Sequence, residues 1–239
     1  MDTKPTSRLS VVTYNTFQET NGRDPALDGL LGEEEALVCL QEVNAARALG
    51  IKRRLGSRAF VSLAKYGLLY LALVLPAGAR LIERCTASLN GYKGVLPRSW
   101  SLRRGYELHR AGRPAWIDGL EPRVAQVARV SWEGRDFRVL NTHLPFESGL
   151  RRRCLDLLPD LVGNGEALLA GDLNATTQNL FLKDFLLETG LRPAGTEEPT
   201  HDSGRRIDFL LYRGGFREVG YEVTKGSSDH RIVRVELEV

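Results

Sequence analysis

Six short stretches of this chain carry side chains that could do chemistry together. "TYN" ends in Asn15, and "LQEV" holds Glu42. "NTHLP" supplies Asn141 and His143, and "GDLN" supplies Asp172 and Asn174. "RRIDF" holds Asp208, and "SSDH" closes the set with Asp229 and His230. Glu42, Asp172, Asp208 and Asp229 are hard oxygen donors, suited to Mg²⁺ or Mn²⁺ rather than zinc. Asn15 and Asn174 add neutral donors and acceptors. His143 and His230 are two of only four histidines. Carboxylates around a divalent ion, with two imidazoles to move protons, would suit hydrolysis of a phosphoester.

Each stretch alone is ordinary. An Asp after a strand usually forms a turn or caps a helix, and a lone His near a strand end is usually structural. Six compatible groups in order are hard to obtain as turn chemistry. "GDLN" is the most telling of them. Along extended chain, residues i and i+2 point the same way, so Asp172 and Asn174 share a direction where an apolar strand emerges. Gly171 fits a close backbone approach there.

Strands must position these groups. Short apolar runs bounded by turn residues predict strands at 9–15, 36–43, 67–75, 124–132, 136–144, 167–173, 207–212 and 230–239. The apolar run from Tyr66 to Gly78 is too short for a membrane span and contains Pro76, which suggests a pair of core strands. "SWEGRDF" reads as a hairpin turn, and the spacing of Val124, Val127 and Val130 suggests an irregular register. Helical spacing covers 24–36, 147–165 and 176–190. Pro159 should end or kink the second, and Thr176 or Thr177 should cap the third before Gly190 stops it. Two packed sheets with helices outside follow, an α/β or α+β class. The polar groups end some strands and begin others, so antiparallel neighbours would gather them on one rim. Segments 45–65 and 98–123 are expected to set specificity. The second has six Arg with Trp100, Tyr106 and Trp116 interleaved, a composition compatible with base stacking.

Composition is that of an ordinary globular chain of 239 residues, 42% hydrophobic and 26% charged, with no linker or repeat, so one domain over 1–239 is expected. The net charge of +3 is mild, although Arg outnumbers Lys 27 to 6. Three unpaired cysteines, Cys39, Cys85 and Cys154, fit a reducing compartment. No secretory signal is visible at the start, which suggests a cytoplasmic protein.

The motif set resembles the endonuclease/exonuclease/phosphatase superfamily, whose pattern runs from an Asn after the first strand through "LQE", "THL" and "GDLN" to "RIDF" and "SDH". The resemblance implies a four-layered α/β sandwich with its site at one end of two packed sheets. It implies that Glu42 binds a catalytic Mg²⁺ (or Mn²⁺), with Asn15 and Asp229 at or near the metal. Asp172 and Asn174 would orient or activate water, and Asp208 would orient His230 against the phosphate. His143 looks like the second histidine of the deoxyribonuclease and sphingomyelinase branches, placed to assist the leaving group. In the deoxyribonuclease branch a Glu orients that histidine, but here Ala64 to Tyr66 reads "AKY"; Glu83 is a candidate substitute. Arg123 and Asn141 are assigned to substrate contact.

Nucleic acid is the first substrate class implied. A phospholipid or sphingomyelin phosphodiesterase is the second, with "LLYLALVLP" and "GYKGVL" (91–96) as its supports. Soluble phosphoesters are a third, and a catalytically silent binding module a remote fourth. No obligate protein partner is evident.

Overall fold

A computed structural model describes residues 7–17, 24–65, 69–90 and 123–239. Its elements are β1 (Arg8–Asn15), α1 (Pro25–Leu30), β2 (Ala36–Asn44), α2 (Ala45–Leu55), β3 (Ala59–Lys65), β4 (Leu69–Val74), β5 (Arg80–Ser88) and β6 (Val124–Trp132). They continue with β7 (Arg135–His143), α3 (Ser148–Val162), β8 (Ala167–Asp172), α4 (Leu180–Thr189), β9 (Arg192–Pro193), β10 (Asp208–Arg213), β11 (Arg217–Lys225) and β12 (Arg231–Glu238).

The strands form two six-stranded sheets. One runs β11-β12-β1-β2-β4-β3, the other β5-β6-β7-β8-β10-β9. Each is mixed. β1 lies parallel to β2 and antiparallel to β12, and β7 lies parallel to β8, which is antiparallel to β10. That arithmetic fixes the rim. The C-terminal ends of β1, β2, β7 and β8 lie at the same edge as the N-terminal ends of β10 and β12.

Three apolar layers hold the sandwich. Leu9, Val11, Leu37 and Leu73 meet Val130, Val139, Leu168 and Leu210 between the sheets. Leu27, Leu30, Ala48 and Ile51 of α1 and α2 cover Val12, Val38 and Leu40 on one outer face. Cys154, Leu155, Leu158, Leu182 and Phe185 of α3 and α4 cover Leu140, Leu169 and Phe209 on the other. Each fully buried Val, Leu, Ile or Phe among them contributes about 1.5–3 kcal/mol. β8 is buried on both faces along its whole length, which is why "ALLAGD" reads as a continuous apolar run.

Several expectations need correction. Of the run at 66–78, the described residues 69–78 hold one strand, β4, whose Leu71 and Leu73 are buried. The apolar stretch invoked for a lipid substrate is therefore core over its described part. Segment 45–65 forms α2 and β3, with β3 as the edge strand of its sheet. Pro159 lies inside α3, which continues to Val162 because buried Leu158 and Val162 anchor the helix on both sides of it. Asn179 caps α4, accepting from Leu182 N, while Gly190 ends it in a left-handed conformation. The irregular register falls in β5, between Leu81 and Glu83, and not in β6. The "EG" turn has positive φ at Glu133 (51°) and Gly134 (79°), as a two-residue hairpin requires. No helix among the described residues is long and apolar enough to cross a membrane. Loop 98–122 and the stretch 91–96 lie outside the described residues.

Candidate active site

Asp172, the last residue of β8, sits at the centre of the rim. Register places His143 beside it on β7 and Asp208 beside it on β10. Asn15, ending β1, reaches across from the other sheet and donates from Nδ2 to Asp172 Oδ2 at 3.1 Å. Gly171 makes this possible. Its φ is 148°, and a Cβ there would overlap the Thr142 carbonyl oxygen, so only glycine lets β7 and β8 approach so closely.

His230 Nδ1 lies 3.1 and 3.0 Å from the two carboxylate oxygens of Asp208. Its Nε2 then faces Asp172 Oδ2 at 3.7 Å and Asn15 Nδ2 at 3.4 Å. Asp208 is fully buried and is itself fixed by Thr200, whose hydroxyl donates to Oδ2 at 2.8 Å while accepting from the Asp208 backbone N–H. Thr200 carries no signal in the sequence; the bend before β10 brings it in. The "SSDH" loop is pinned from beneath. Tyr14 donates to Asp24 at 2.8 Å and accepts from Ser228 N, and Ser227 donates to the same carboxylate.

His143 closes the other flank. Its Nε2 is 3.4 Å from Asp172 Oδ2 and 3.2 Å from Asn174 Nδ2. The Asn174 amide also donates to Leu144 O at 2.9 Å, and its backbone N–H donates to Asp172 Oδ1 at 2.9 Å. An amide donor on Nε2 leaves Nδ1 as the N–H of a neutral His143, with Glu42 Oε1 3.5 Å from it. Among the described residues Glu42 is thus the acidic side chain beside Nδ1 of His143, as Asp172 is beside Nε2. Glu83 sits on an edge strand, 71% exposed, beside Arg129. Glu42 and Asn174 both hold positive φ, 53° and 49°. Such conformations cost non-glycine residues energy and persist where surroundings enforce them; here a bulge in β2 between Leu40 and Val43 re-aims Glu42.

Two sequence assignments fare differently. Arg123 is buried and lines a recess with Glu42, Ala64, Leu69 and His143, next to the rim. Asn141 is not at the site. It is fully buried between the sheets, donating to Leu40 O, Ala72 O and Gln126 Oε1 and accepting from Gln41 Nε2. These bonds commit both amide hydrogens, and the side chain is fully buried between the sheets. Its alternation along β7 explains this: His143 and Asn141 share a face, but Asn141 lies one pleat deeper. Asp229 is more open than its neighbours, with Oδ1 3.9 Å from His230 Nε2.

Charge is concentrated here. Burial, then the charge of Asp208, raises the Asp172 carboxyl to about 7, against His230 and the N–H groups of Asn174 and Asn15. For His230, burial pushes the imidazole down, but the bond to Asp208 and the charges of Asp208, Asp172 and Asp229 outweigh it and lift the ring to about 9. Both groups have folded values above the ordinary ones, 3.8 and 6.5. Each therefore stabilises the fold fully below its ordinary value and loses that contribution as pH rises through the folded one. The window opens near the ordinary carboxylate range and closes around the His230 value. With chelator present, the melting temperature is expected to fall by roughly 5–10 °C from about pH 6 to about pH 9. A flat or rising profile by circular dichroism would contradict the paired-carboxylate geometry.

The donor set fits a hard divalent cation. Asp172, Asp208 and His230 bring side-chain oxygen and nitrogen atoms within 4.8 Å of one another, two of the three being carboxylates. Glu42 and Asp229 bring two further carboxylates to the same rim.

Comparison with known proteins agrees with this arrangement. No curated protein matches the chain. Among solved structures, an endonuclease/exonuclease/phosphatase from Bacteroides vulgatus is 16% identical with a TM-score of 0.70, the alignment covering 98% of this chain and 99% of that one. A mannosyl-6-phosphatase from Bacteroides thetaiotaomicron is 16% identical at 0.68, covering 97% and 100%. TDP2 from D. rerio, complexed with single-strand DNA product, is 13% identical at 0.68, covering 98% and 100%. At such identities the likeness is one of fold. The Endonuclease/Exonuclease/phosphatase family model matches residues 12–230. That match runs from β1 to His230 and takes in all six stretches, so the chain belongs to the endonuclease/exonuclease/phosphatase family, whose members are phosphoester hydrolases.

Proposed function

We propose that this chain is a Mg²⁺-dependent phosphodiesterase that cleaves phosphodiester bonds with an activated water, nucleic acid being its favoured substrate. The observation that carries this reading is the meeting of the Asp208–His230 pair with Asp172, Asn15 and His143 at one rim. Glu42, Asp229 and Asn15 would hold the divalent ion, Mg²⁺ or Mn²⁺. When bound, it neutralises charge on the phosphoryl oxygens.

The chain's own residues divide the remaining work. His230, held as an imidazolium by Asp208, presents Nε2–H to a phosphoryl oxygen. Asp172, with a carboxyl raised to about 7, accepts a proton from the attacking water near neutral pH. Asn174 fixes Asp172 through its backbone N–H and orients His143 through its side chain. His143, with Nδ1 beside Glu42, is placed to assist the departing oxygen once its Nε2, which accepts from Asn174 in the resting site, has taken up a proton. Arg123 supplies positive charge beside that recess for a substrate phosphate.

The test is a substrate panel of plasmid DNA, RNA, a sugar phosphate and phosphatidylcholine–sphingomyelin liposomes, with Mg²⁺ or Mn²⁺ and with chelator. Nicking or shortening of nucleic acid that requires metal is expected. Metal-independent cleavage, or turnover of the sugar phosphate alone, would refute the proposal; liposome hydrolysis alone would move it to lipid.

A further inference from the structure

A further side chain reaches the rim from the segment that carries Thr200, which none of the six stretches includes. His201 forms an isolated antiparallel bridge with His230. Around it, Asp202 N donates to Asp229 O at 2.9 Å and Arg231 N donates to Thr200 O at 2.7 Å. The two imidazoles meet edge to face, with ring centres 4.7 Å apart. The backbone thus locks His201 against the "SSDH" loop.

Its tautomer follows from its neighbours. The backbone N–H of Ser203 donates to His201 Nδ1 at 2.9 Å. A backbone amide can only donate, so Nδ1 must be the lone pair and Nε2 must carry the proton. Nε2 lies 3.4 Å from Asp229 Oδ2. The other oxygen, Oδ1, accepts from Ser228 Oγ at 3.2 Å and faces His230 Nε2. His201, Asp229 and His230 stand close enough to share an ion. The tautomer argues against His201 as a ligand, because the nitrogen facing the cluster presents N–H instead of a lone pair.

We propose that His201 is a positioning residue for Asp229: its Nε2–H holds one carboxylate oxygen and turns the other toward the reacting centre. This rests on the metal-dependent reading above, in which Asp229 helps hold the ion. Hydrogen bonds from outside a ligand set orient the ligands, and their loss typically weakens metal binding by about 10- to 100-fold.

Two variants and two readouts test it. His201→Phe keeps a ring against His230 and removes the donor; His201→Gln keeps a donor near the Nε2 position. Mn²⁺ affinity, measured by electron paramagnetic resonance without substrate, is expected to fall about 10-fold or more in His201→Phe and to recover largely in His201→Gln. An affinity in His201→Phe within about twofold of the unchanged protein would overturn the proposal. Nitrogen-15 shifts of the imidazoles in the metal-free protein form the second readout. An Nε2–H tautomer at His201 is expected, and an Nδ1–H tautomer overturns the proposal whatever the protein hydrolyses. If the unchanged protein neither binds Mn²⁺ nor cleaves a phosphoester, the metal-dependent reading falls, and the tautomer alone decides the role of His201.

Discussion

His230→Ala is expected to lower kcat on a phosphodiester by about 10²- to 10⁴-fold while KM moves much less. The asymmetry follows from where the ring sits. Nε2 points into the space bounded by Asp172 and Asn15, where charge would grow on a phosphoryl oxygen during reaction. A donor used mainly as that charge develops contributes to kcat more than to substrate binding. The substitution has a second consequence. Asp208 is fully buried and Asp172 nearly so, and both lose their imidazolium partner. Removing one member of a buried pair typically costs about 3–5 kcal/mol. Added Mg²⁺ should return part of that stability without returning activity, because it supplies charge but no N–H at the Nε2 position. Kinetics and thermal melts on the same preparation separate the effects. A variant that melts like the unchanged protein in Mg²⁺ and retains more than about a tenth of kcat would remove His230 from the chemistry.

The strands that carry the site were legible because they are buried on both faces. β2 and β8 read as apolar runs that give out just before Glu42 and Asp172, and structure and sequence agree there to within a residue or two. What escaped has little hydrophobic signal. β5 and β11 are mostly exposed and rich in charge, and α2 buries only Ala48 and Ile51. Elements that add an edge or a partial cover need few apolar residues, so their periodicity is faint. The site shows the same division. Asp172, Asp208 and His230 announce themselves beside strand ends. Thr200 and His201 do not, since their contacts arise from antiparallel pairing of two loops nearly thirty residues apart in sequence. Asn141 fails for the opposite reason. It stands two residues from His143 in a motif that looks chemical, yet one pleat of depth turns it from a site residue into a link between sheets. Position in a motif does not report depth along the strand.

Gly171→Ala should be the most destabilising single methyl that this chain can receive near its site. The added Cβ would overlap the Thr142 carbonyl oxygen and lie 2.9 Å from the carbonyl carbon, both backbone atoms of a paired strand. No rotamer change can relieve such a clash; β7 must move away from β8, or the Gly171 backbone must leave its φ of 148°. Overpacking and backbone strain then add, and the expected loss exceeds about 4 kcal/mol in a urea melt. Gly78→Ala is the matched control. Gly78 also has positive φ, 78°, but nothing lies within 4 Å of its missing Cβ. Its cost should be the conformational part alone, about 1 kcal/mol. The difference between the variants isolates the strand spacing. That spacing also sets the distance between His143 and Asp172, which leave β7 and β8 one residue beyond the contact. Whatever fraction of Gly171→Ala still folds should therefore show a depressed kcat at saturating Mg²⁺, as a small displacement of reacting groups demands. Equal stability losses in the two variants would show that β7 and β8 lie farther apart than the site geometry requires.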